Sequence, residues 1–516
     1  MKNNIIPIFI IVILSCICFV FFKSNVYSPY SDIGRELYIV QQMLNSEALY
    51  KDIFNVYAPL GYQINALIAL IFGTGLIVFQ YIGLCLTILI SSIIYLISKE
   101  YTNKILATLL SVMMIFVCAY SPDISNWIMP YSYSILYSLL GFLLSFYFLV
   151  KYIKNDNDKN LMLSCLFYGF SVASKYEYSL FLFVIIAVIL YKKTSIIKSL
   201  KSLGVTLFFP LLSFCVLLFQ GNSVLDLYNG FISMCQLACS ESVKTFYSYF
   251  GFNFSLDFLK GSYYIWGDSS YWFRSLGYIC IFIFIFKLIF FIRSKEKSND
   301  DFLQIILLLS AILGSYKCIG SIYLKIYGTF FLPLLFVAVI SILYKFKYKN
   351  MTNIVLSIFV LFLMVSCFAL NLQEIKNMDL KEIKTSKGLI KIKNIFYPST
   401  VELLSYLEKN ISKNNMVLIL PEGSFINYLT DMKSDNTLYY LIPTNVEVLG
   451  NEKIINILNK NNIDYVIFSN IMYPDFLQGS FQKTYGKDIY DSVVANLKYE
   501  KTIGDDFIFK IYKVKN

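Results

Sequence analysis

Long apolar runs alternate with short polar segments over the first 370 residues of the chain. A helix needs about 20 consecutive apolar residues to cross the hydrocarbon core of a bilayer. Eleven runs approach this length, with approximate bounds at residues 4–22, 64–97, 105–120, 131–150, 161–174, 178–191, 200–219, 275–292, 302–318, 326–344 and 351–370. The second run is too long for one straight span. The pattern therefore predicts a polytopic α-helical membrane protein with about eleven transmembrane helices.

Positively charged residues are concentrated in alternate loops between these runs. The lysine-rich and arginine-rich set comprises Lys99 and Lys104, then Lys151, Lys154 and Lys159, then Lys192, Lys193, Lys198 and Lys201, then Arg293, Lys295 and Lys297, and finally Lys345, Lys347 and Lys349. Loops rich in positive charge stay on the cytoplasmic side. The N-terminus is therefore predicted to be cytoplasmic, and an odd number of spans places the C-terminus outside. The first run is interpreted as a retained anchor, because no A-x-A-like cleavage site follows it.

Three segments predicted to lie outside are long enough to carry chemistry, at residues 23–63, 221–273 and 371–516. In the last of these, the apolar runs become short and are separated by polar turns. Predicted strands cover residues 416–420, 465–468 and 507–512, and predicted helices cover 401–409, 453–459 and 489–497. The chain is thus predicted to have a transmembrane domain at residues 1–370 and an extracytoplasmic α/β domain at residues 371–516.

The composition excludes several classes of function. Of 516 residues, 57% are hydrophobic and 15% charged, whereas about 25% are charged in an ordinary soluble domain. The formal charge of +11 comes from lysines that are scattered or lie at helix ends, so it reflects membrane topology and not a nucleic-acid surface. The chain contains no histidine, which excludes histidine-based triads, zincin motifs and histidine proton relays. Any acid or base must be a carboxylate, Lys, Tyr or Cys.

The first outer loop has the most informative pattern. Its apolar residues at 33, 37, 40 and 44 share one face of a helix that suits the membrane interface. Asp32 and Glu36 lie one turn apart on the adjacent face, where they could point into a cavity at the membrane surface. The alternative is that Asp32 complements the helix dipole, while Arg35 and Glu36 form a solvated face.

Residues 31–73, SDIGRELYIVQQMLNSEALYKDIFNVYAPLGYQINALIALIFG, resemble the first periplasmic loop and second span of bacterial membrane glycosyltransferases of the GT-C fold. These enzymes are related to protein O-mannosyltransferases and to the aminoarabinose transferase of lipid A. The matching residues are Asp32, Tyr50, Asp52, Pro59, Phe72 and Gly73. Weaker resemblance continues in order at residues 126–134 (NWIMPYSYS), 174–178 (SKYEY), 327–333 (YGTFFLP) and 420–430 (LPEGSFINYLT). The family often has adjacent Asp-Glu in this loop, whereas here the glutamate is four residues further on.

The resemblance implies a GT-C fold and transfer of a sugar from a polyprenyl-phosphate carrier to an acceptor hydroxyl or amine outside the membrane. Asp32 is then expected to be the catalytic base of an inverting displacement, with Glu36 as a second catalytic candidate. Tyr50 and Asp52 are expected to bind substrate. The acceptor is a cell-envelope glycan, lipid or protein, and the partners are the lipid-linked sugar and the bilayer, with no nucleic acid.

The departing phosphate requires cations, and the chain has only three arginines. The candidates on the outer side are Arg35, Arg274, Lys175, Lys317 and Lys325. The alternative for the lysines is that they extend to the membrane interface. Glu177 is a further substrate-binding candidate, with Asp123 beside it, although Glu177 and Lys175 could simply pair with each other. A carboxylate pair could hold Mg²⁺ or Mn²⁺, but no spacing requires a metal or other cofactor.

Two other classes of function compete with the transferase. A transporter or flippase of lipid-linked saccharides predicts internal repeats and charges at mid-membrane, and the sequence has no evident repeat. A non-catalytic envelope scaffold would use the outer domain, including the LPEG segment, as a binding module. The excess of Lys over Arg with abundant Asn and Ile suggests an AT-rich bacterial genome, and hence a bacterial plasma membrane.

Overall fold

The computed structural model describes residues 4–122, 124–249, 270–317, 328–345, 349–460 and 463–514. Apolar helices make up the first part of the chain. They are α1 (Ile5–Phe22), α2 (Asp32–Leu44), α3 (Leu60–Phe72), α4 (Leu76–Tyr101), α5 (Lys104–Met114), α6 (Tyr133–Asn155), α7 (Asp158–Ser174), α8 (Phe181–Tyr191), α9 (Ile196–Val205), α10 (Phe208–Phe219), α11 (Val224–Cys239), α12 (Glu241–Tyr249), α13 (Ser270–Arg293), α14 (Asn299–Gly314), α15 (Thr329–Tyr344) and α16 (Lys349–Asn377).

Each of the eleven predicted apolar runs falls on one helix or on two consecutive helical segments. The long run 64–97 is divided between α3 and α4 at Gly73, whose φ of 87° lies in the region that favours glycine. α5 continues as a π-helix at Ile115–Ala119. Among the described residues, six helical stretches are long and apolar enough to cross a membrane, and four further apolar helices are shorter. The prediction of a polytopic α-helical membrane protein is confirmed.

The C-terminal part is a small α/β unit. Its elements are β2 (Leu380–Thr385), β3 (Gly388–Lys393), α17 (Tyr397–Asn410), β4 (Val417–Leu420), α18 (Ser424–Thr430), α19 (Pro443–Leu449), α20 (Asn451–Lys460), β5 (Tyr465–Ser469), β6 (Met472–Tyr473), β7 (Gln478–Ser480), α21 (Lys487–Asn496), β8 (Leu497–Ile503) and β9 (Phe509–Val514). Four strands form a sheet in the order β4-β5-β9-β8, with β4 and β5 parallel. All six segments predicted here coincide with observed elements of the same type.

A second sheet joins the first outer loop to this unit. The short strand β1 (Asn25–Tyr27) pairs in parallel with β3, which forms an antiparallel hairpin with β2. The sequence analysis did not predict these three strands. The last apolar helix also continues to Asn377, past the domain boundary predicted at residue 370. The two parts of the chain are therefore connected by main-chain pairing as well as by the covalent link.

Helix α2 packs directly against α18 of the outer unit. A Cβ atom added at Gly34 would lie 2.6 Å from Cβ and 2.8 Å from the main-chain nitrogen of Phe425. Polar contacts extend the junction, since Gln41 donates to Asp431 at 2.6 Å and Tyr38 donates to Asn436 at 2.8 Å. The close approach requires glycine at position 34, and it fixes α2 between the membrane helices and the outer unit.

Gly34→Ala is expected to destabilise the protein, because the methyl group cannot be accommodated without moving the backbone of α18. Such overpacking typically costs about 1–3 kcal/mol. The matched control is Gly204→Ala on α9, where an added Cβ meets nothing within 4 Å. The apparent Tm of both variants in the same lipid or detergent tests this expectation. Equal Tm values for the two variants would contradict the tight contact at Gly34.

Candidate functional site

A cavity of about 550 Å³ lies between the membrane helices and the outer unit. Its wall combines side chains from α2, the turn after α7, helices α11 and α12, and the loops of the outer unit. The polar and charged residues of the wall include Asp32, Arg35, Tyr57, Tyr131, Lys175, Glu177, Lys317, Lys393, Glu422, Tyr440, Tyr473 and Asp475. Carboxylates and cations from distant parts of the chain thus meet around one cavity.

Asp32 lies in the first turn of α2, with 28% of its side chain exposed. Its Oδ1 accepts a hydrogen bond from Nη1 of Arg35 at 3.0 Å and a second, short one from the hydroxyl of Tyr440. Both contacts use the same oxygen, which leaves Oδ2 for another partner. Asp32 is therefore held in place by two contacts on one oxygen and stays partly open to the cavity.

Arg35 is almost completely buried, at 3% exposure. Its guanidinium group lies 4.3 Å from the ring centre of Tyr57 and 5.0 Å from that of Tyr440, and Nη1 also donates to the Tyr57 hydroxyl at 3.2 Å. Stacking between two aromatic rings fixes the plane of the group. The fork is thus oriented before any ligand arrives.

Another part of the cavity wall contains two lysines around one glutamate. Glu177 Oε1 lies 2.9 Å from Nζ of Lys317 and 3.8 Å from Nζ of Lys175. Lys175 also donates to the hydroxyl of Tyr131 at 3.1 Å. Burial lowers the pKa of Lys175, the Lys317 charge adds to this, and Glu177 opposes it. Two ammonium groups on one carboxylate leave this wall with an excess positive charge, which favours an anionic ligand.

The outer unit contributes a second carboxylate. Glu422 follows β4 and the cis peptide Leu420–Pro421, so it lies at the carboxyl end of a parallel strand. Its Oε1 lies 3.0 Å from the Tyr440 hydroxyl, and its Oε2 lies 2.8 Å from the Tyr473 hydroxyl. Burial, together with the charge of Asp32, raises the pKa of Glu422 to about 8. The sequence analysis did not predict these three residues, although it had singled out the LPEG segment.

Glu36, predicted as a second catalytic candidate, is not among the described residues that line the cavity. It is buried, and its oxygens accept from Oγ of Ser132 at 2.6 Å and from the main-chain N–H of Tyr133 at 2.9 Å. Burial is the main cause that raises the pKa of Glu36. These contacts connect α2 to the start of α6. They therefore orient α2, the helix that carries Asp32.

Tyr50 and Asp52, predicted to bind substrate, also lie outside the described cavity wall. The Tyr50 hydroxyl donates to the main-chain oxygen of Tyr57 at 2.6 Å, and Asp52 accepts from the N–H of Ala48 at 2.9 Å. Both therefore shape the loop that presents Tyr57. The side chain of Arg274, and all of Lys325 and Asp123, lie outside the described residues.

No metal cluster is evident in the part of the chain that the structure describes, since no group of three or more Cys, Asp or Glu side chains is close enough to hold an ion. The expectation that a carboxylate pair could hold Mg²⁺ or Mn²⁺ stays a prediction. The chemistry of the described wall rests on carboxylates, cations and tyrosines.

Comparisons with known proteins agree with this architecture. The family profile described as dolichyl-phosphate-mannose-protein mannosyltransferase matches residues 57–217. ArnT from Cupriavidus metallidurans, solved bound to undecaprenyl phosphate, is similar with a TM-score of 0.56 and 8% identity, over 99% of this chain and 98% of that one. The Archaeoglobus fulgidus oligosaccharyltransferase, solved with Zn and sulfate, has a TM-score of 0.49 and 10% identity, over 98% and 73%. The search of curated proteins gave no match. The predicted GT-C fold is confirmed.

Proposed function

We propose that this GT-C membrane protein is an inverting glycosyltransferase that moves a sugar from a polyprenyl-phosphate carrier to an acceptor outside the cytoplasm. The observation that carries the proposal is the cavity in which the partly exposed carboxyl group of Asp32 lines the same space as Arg35, Lys175 and Lys317. The match to a mannosyltransferase family profile supports the same class of reaction. The acceptor remains a glycan, lipid or protein of the cell envelope.

Asp32 is assigned the role of general base. Its free Oδ2 takes the proton from the acceptor hydroxyl or amine as that atom attacks the anomeric carbon. The bond between the anomeric carbon and the phosphate oxygen breaks on the opposite side, so the configuration inverts. Arg35 lies beside Asp32 and, together with the Tyr440 hydroxyl, holds its carboxyl group in place.

The leaving group is a lipid phosphate, which gains negative charge as the bond breaks. Lys175 and Lys317 line the cavity and share the single charge of Glu177. Cations that are already in position stabilise such developing charge without reorganisation. We assign these two lysines, with Arg35, to the carrier phosphate; Arg274 and Lys325 stay predicted members of the same group.

The proposed reaction also requires that the outer unit lie on the non-cytoplasmic side of the membrane. The distribution of lysines supports a cytoplasmic N-terminus and an outer unit on the far side of the membrane. The cavity then opens where the outer unit meets the membrane helices, which is where a membrane-bound carrier and an envelope acceptor can both reach Asp32.

The test is to offer the purified protein, reconstituted in lipid vesicles, a panel of labelled polyprenyl-phosphate sugars. The expected result is release of the carrier phosphate together with transfer of the labelled sugar to an acceptor or to water. If the intact lipid-linked sugar crosses the vesicle membrane without bond cleavage, the protein is a transporter. If it binds the carriers and neither cleaves nor moves them, the scaffold hypothesis replaces the transferase.

A further inference from the structure

We propose that the outer unit supplies a positioning residue to the reaction, in that Glu422 carries a proton and directs the hydroxyl of Tyr440 onto Asp32. This inference rests on the proposed transferase function. It assigns the outer unit a part in the chemical step in addition to any contact with the acceptor. It also predicts a specific dependence of the rate on pH.

The contacts of Tyr440 with the two carboxyl groups need one more proton than the tyrosine hydroxyls supply. The Tyr440 hydroxyl has one proton, yet its oxygen lies within hydrogen-bond distance of both Asp32 and Glu422. The proton of Tyr473 serves the other oxygen of Glu422, at 2.8 Å. If both carboxyl groups were ionised, the single proton of Tyr440 could serve only one of its two contacts. The other contact would then hold two oxygen atoms together with no proton between them. The arrangement therefore requires an additional proton on one of the two carboxyl groups.

The surroundings of the two carboxyl groups assign that proton to Glu422. Asp32 has the guanidinium group of Arg35 at 3.0 Å, and 28% of its side chain is exposed. Glu422 is 7% exposed, and no lysine or arginine pairs with it among the described residues. Besides Asp32 and Arg35 on α2, the titratable groups that face it are Tyr440 before α19, Tyr473 on β6, and Tyr485. Its raised pKa, about 8, agrees with this assignment.

This assignment gives the chain of hydrogen bonds a direction. Protonated Glu422 donates to the oxygen of Tyr440, and Tyr440 donates its own proton to Oδ1 of Asp32. Arg35 donates to the same oxygen. Two fixed donors on Oδ1 orient the carboxylate so that Oδ2 remains available to the acceptor. Glu422 thus acts through Tyr440 and does not itself need to touch the substrate.

The pH dependence follows with a definite sign. The ordered chain exists below the pKa of Glu422 and is lost as the pH rises through it. Above that point, two carboxylates compete for one hydroxyl proton and the second negative charge disturbs Asp32. The rate of sugar transfer should therefore fall at alkaline pH with a midpoint near 8, at about tenfold per pH unit beyond the midpoint.

The decisive experiment compares the pH profiles of kcat for the wild type, Glu422→Gln and Glu422→Ala, with Glu408→Gln as control. Glutamine can donate to Tyr440 at any pH, so Glu422→Gln should keep activity at neutral pH and lose the alkaline decline. Alanine lacks the donor and should be slow throughout. Glu408 is an exposed residue on α17, outside the cavity, and its variant should keep the wild-type profile.

The outcomes separate the two proposals. An active wild type whose alkaline decline persists in Glu422→Gln would overturn the role of Glu422 and leave the transferase function intact. A wild type that transfers no sugar at any pH would overturn the transferase function itself. If Glu422→Gln fails to fold, infrared titration of the wild type decides: a protonated carboxyl band at neutral pH that disappears near pH 8 supports the inference, and its absence contradicts it.

Discussion

Asp32→Asn is expected to reduce sugar transfer by at least about a hundredfold, as the loss of a general base does. The amide is nearly the same size as the carboxyl group and still accepts from Arg35 through its oxygen, so the fold should survive. It cannot accept the acceptor's proton. The loss should therefore appear in kcat, while binding of polyprenyl phosphate is largely retained.

Asp52→Asn is the matched control for this prediction. Asp52 belongs to the same outer loop and accepts one main-chain hydrogen bond, but it is not among the described residues of the cavity wall. We expect its variant to transfer sugar at close to the wild-type rate. Rates measured with the same labelled donor in lipid vesicles check both variants. Equal rates for the wild type and Asp32→Asn would exclude Asp32 as the base.

The membrane helices could be predicted from sequence because the bilayer sets their length. Each long apolar run needs no distant partner to be recognised, and each falls on helix. The strands β1, β2 and β3 were missed for the opposite reason. Their pairing joins residue 25 to residue 391, and neither partner is long or strongly apolar by itself. The bend at Gly73 was indicated only by the excessive length of the run.

The sequence analysis named some of the residues that line the cavity, and the range of their contacts explains which ones it could find. Asp32 and Arg35 lie three residues apart on one helix, so their pairing is a local property. Glu36 lies on the same helix, one turn from Asp32. Its hydrogen-bond partners are residues 132 and 133, and nothing in the sequence of the first loop indicates that these residues pack there. A buried carboxylate with two fixed donors and a catalytic carboxylate therefore look alike in sequence.

Glu422, Tyr440 and Tyr473 could not be placed from sequence. They are separated from Asp32 by about 400 residues of chain, and only the packing of the outer unit on α2 brings them together. The one indication in the sequence was the LPEG segment, a short motif that follows a predicted strand and contains Glu422. A separate contact within the membrane part of the chain brings Lys317, which follows α14, within 2.9 Å of Glu177 in the turn after α7. The candidate site in this chain depends on contacts between elements more than on any single motif.

Arg35 links α2 to the outer unit, because its side chain bonds to Asp32 of α2 and lies against the ring of Tyr440. The guanidinium group bonds to Asp32, donates to Tyr57 and faces the rings of Tyr57 and Tyr440. A lysine would preserve the positive charge. The lysine side chain lacks the planar group that lies between the rings of Tyr57 and Tyr440. Its ammonium group could make only part of the hydrogen bonds that the guanidinium group makes. Charge and shape can therefore be tested separately at this position.

Arg35→Lys is expected to lower kcat/KM for the lipid-linked donor by about tenfold or more, since hydrogen bonds to charged groups contribute about 1.5–3 kcal/mol and about 1.4 kcal/mol corresponds to tenfold. The control is Arg293→Lys at the end of α13, where the arginine is exposed and an unchanged rate is expected. Steady-state kinetics with the same donor measure both. If Arg35→Lys matches the wild type, the positive charge alone suffices, and the planar group oriented by Tyr57 and Tyr440 is not needed for transfer.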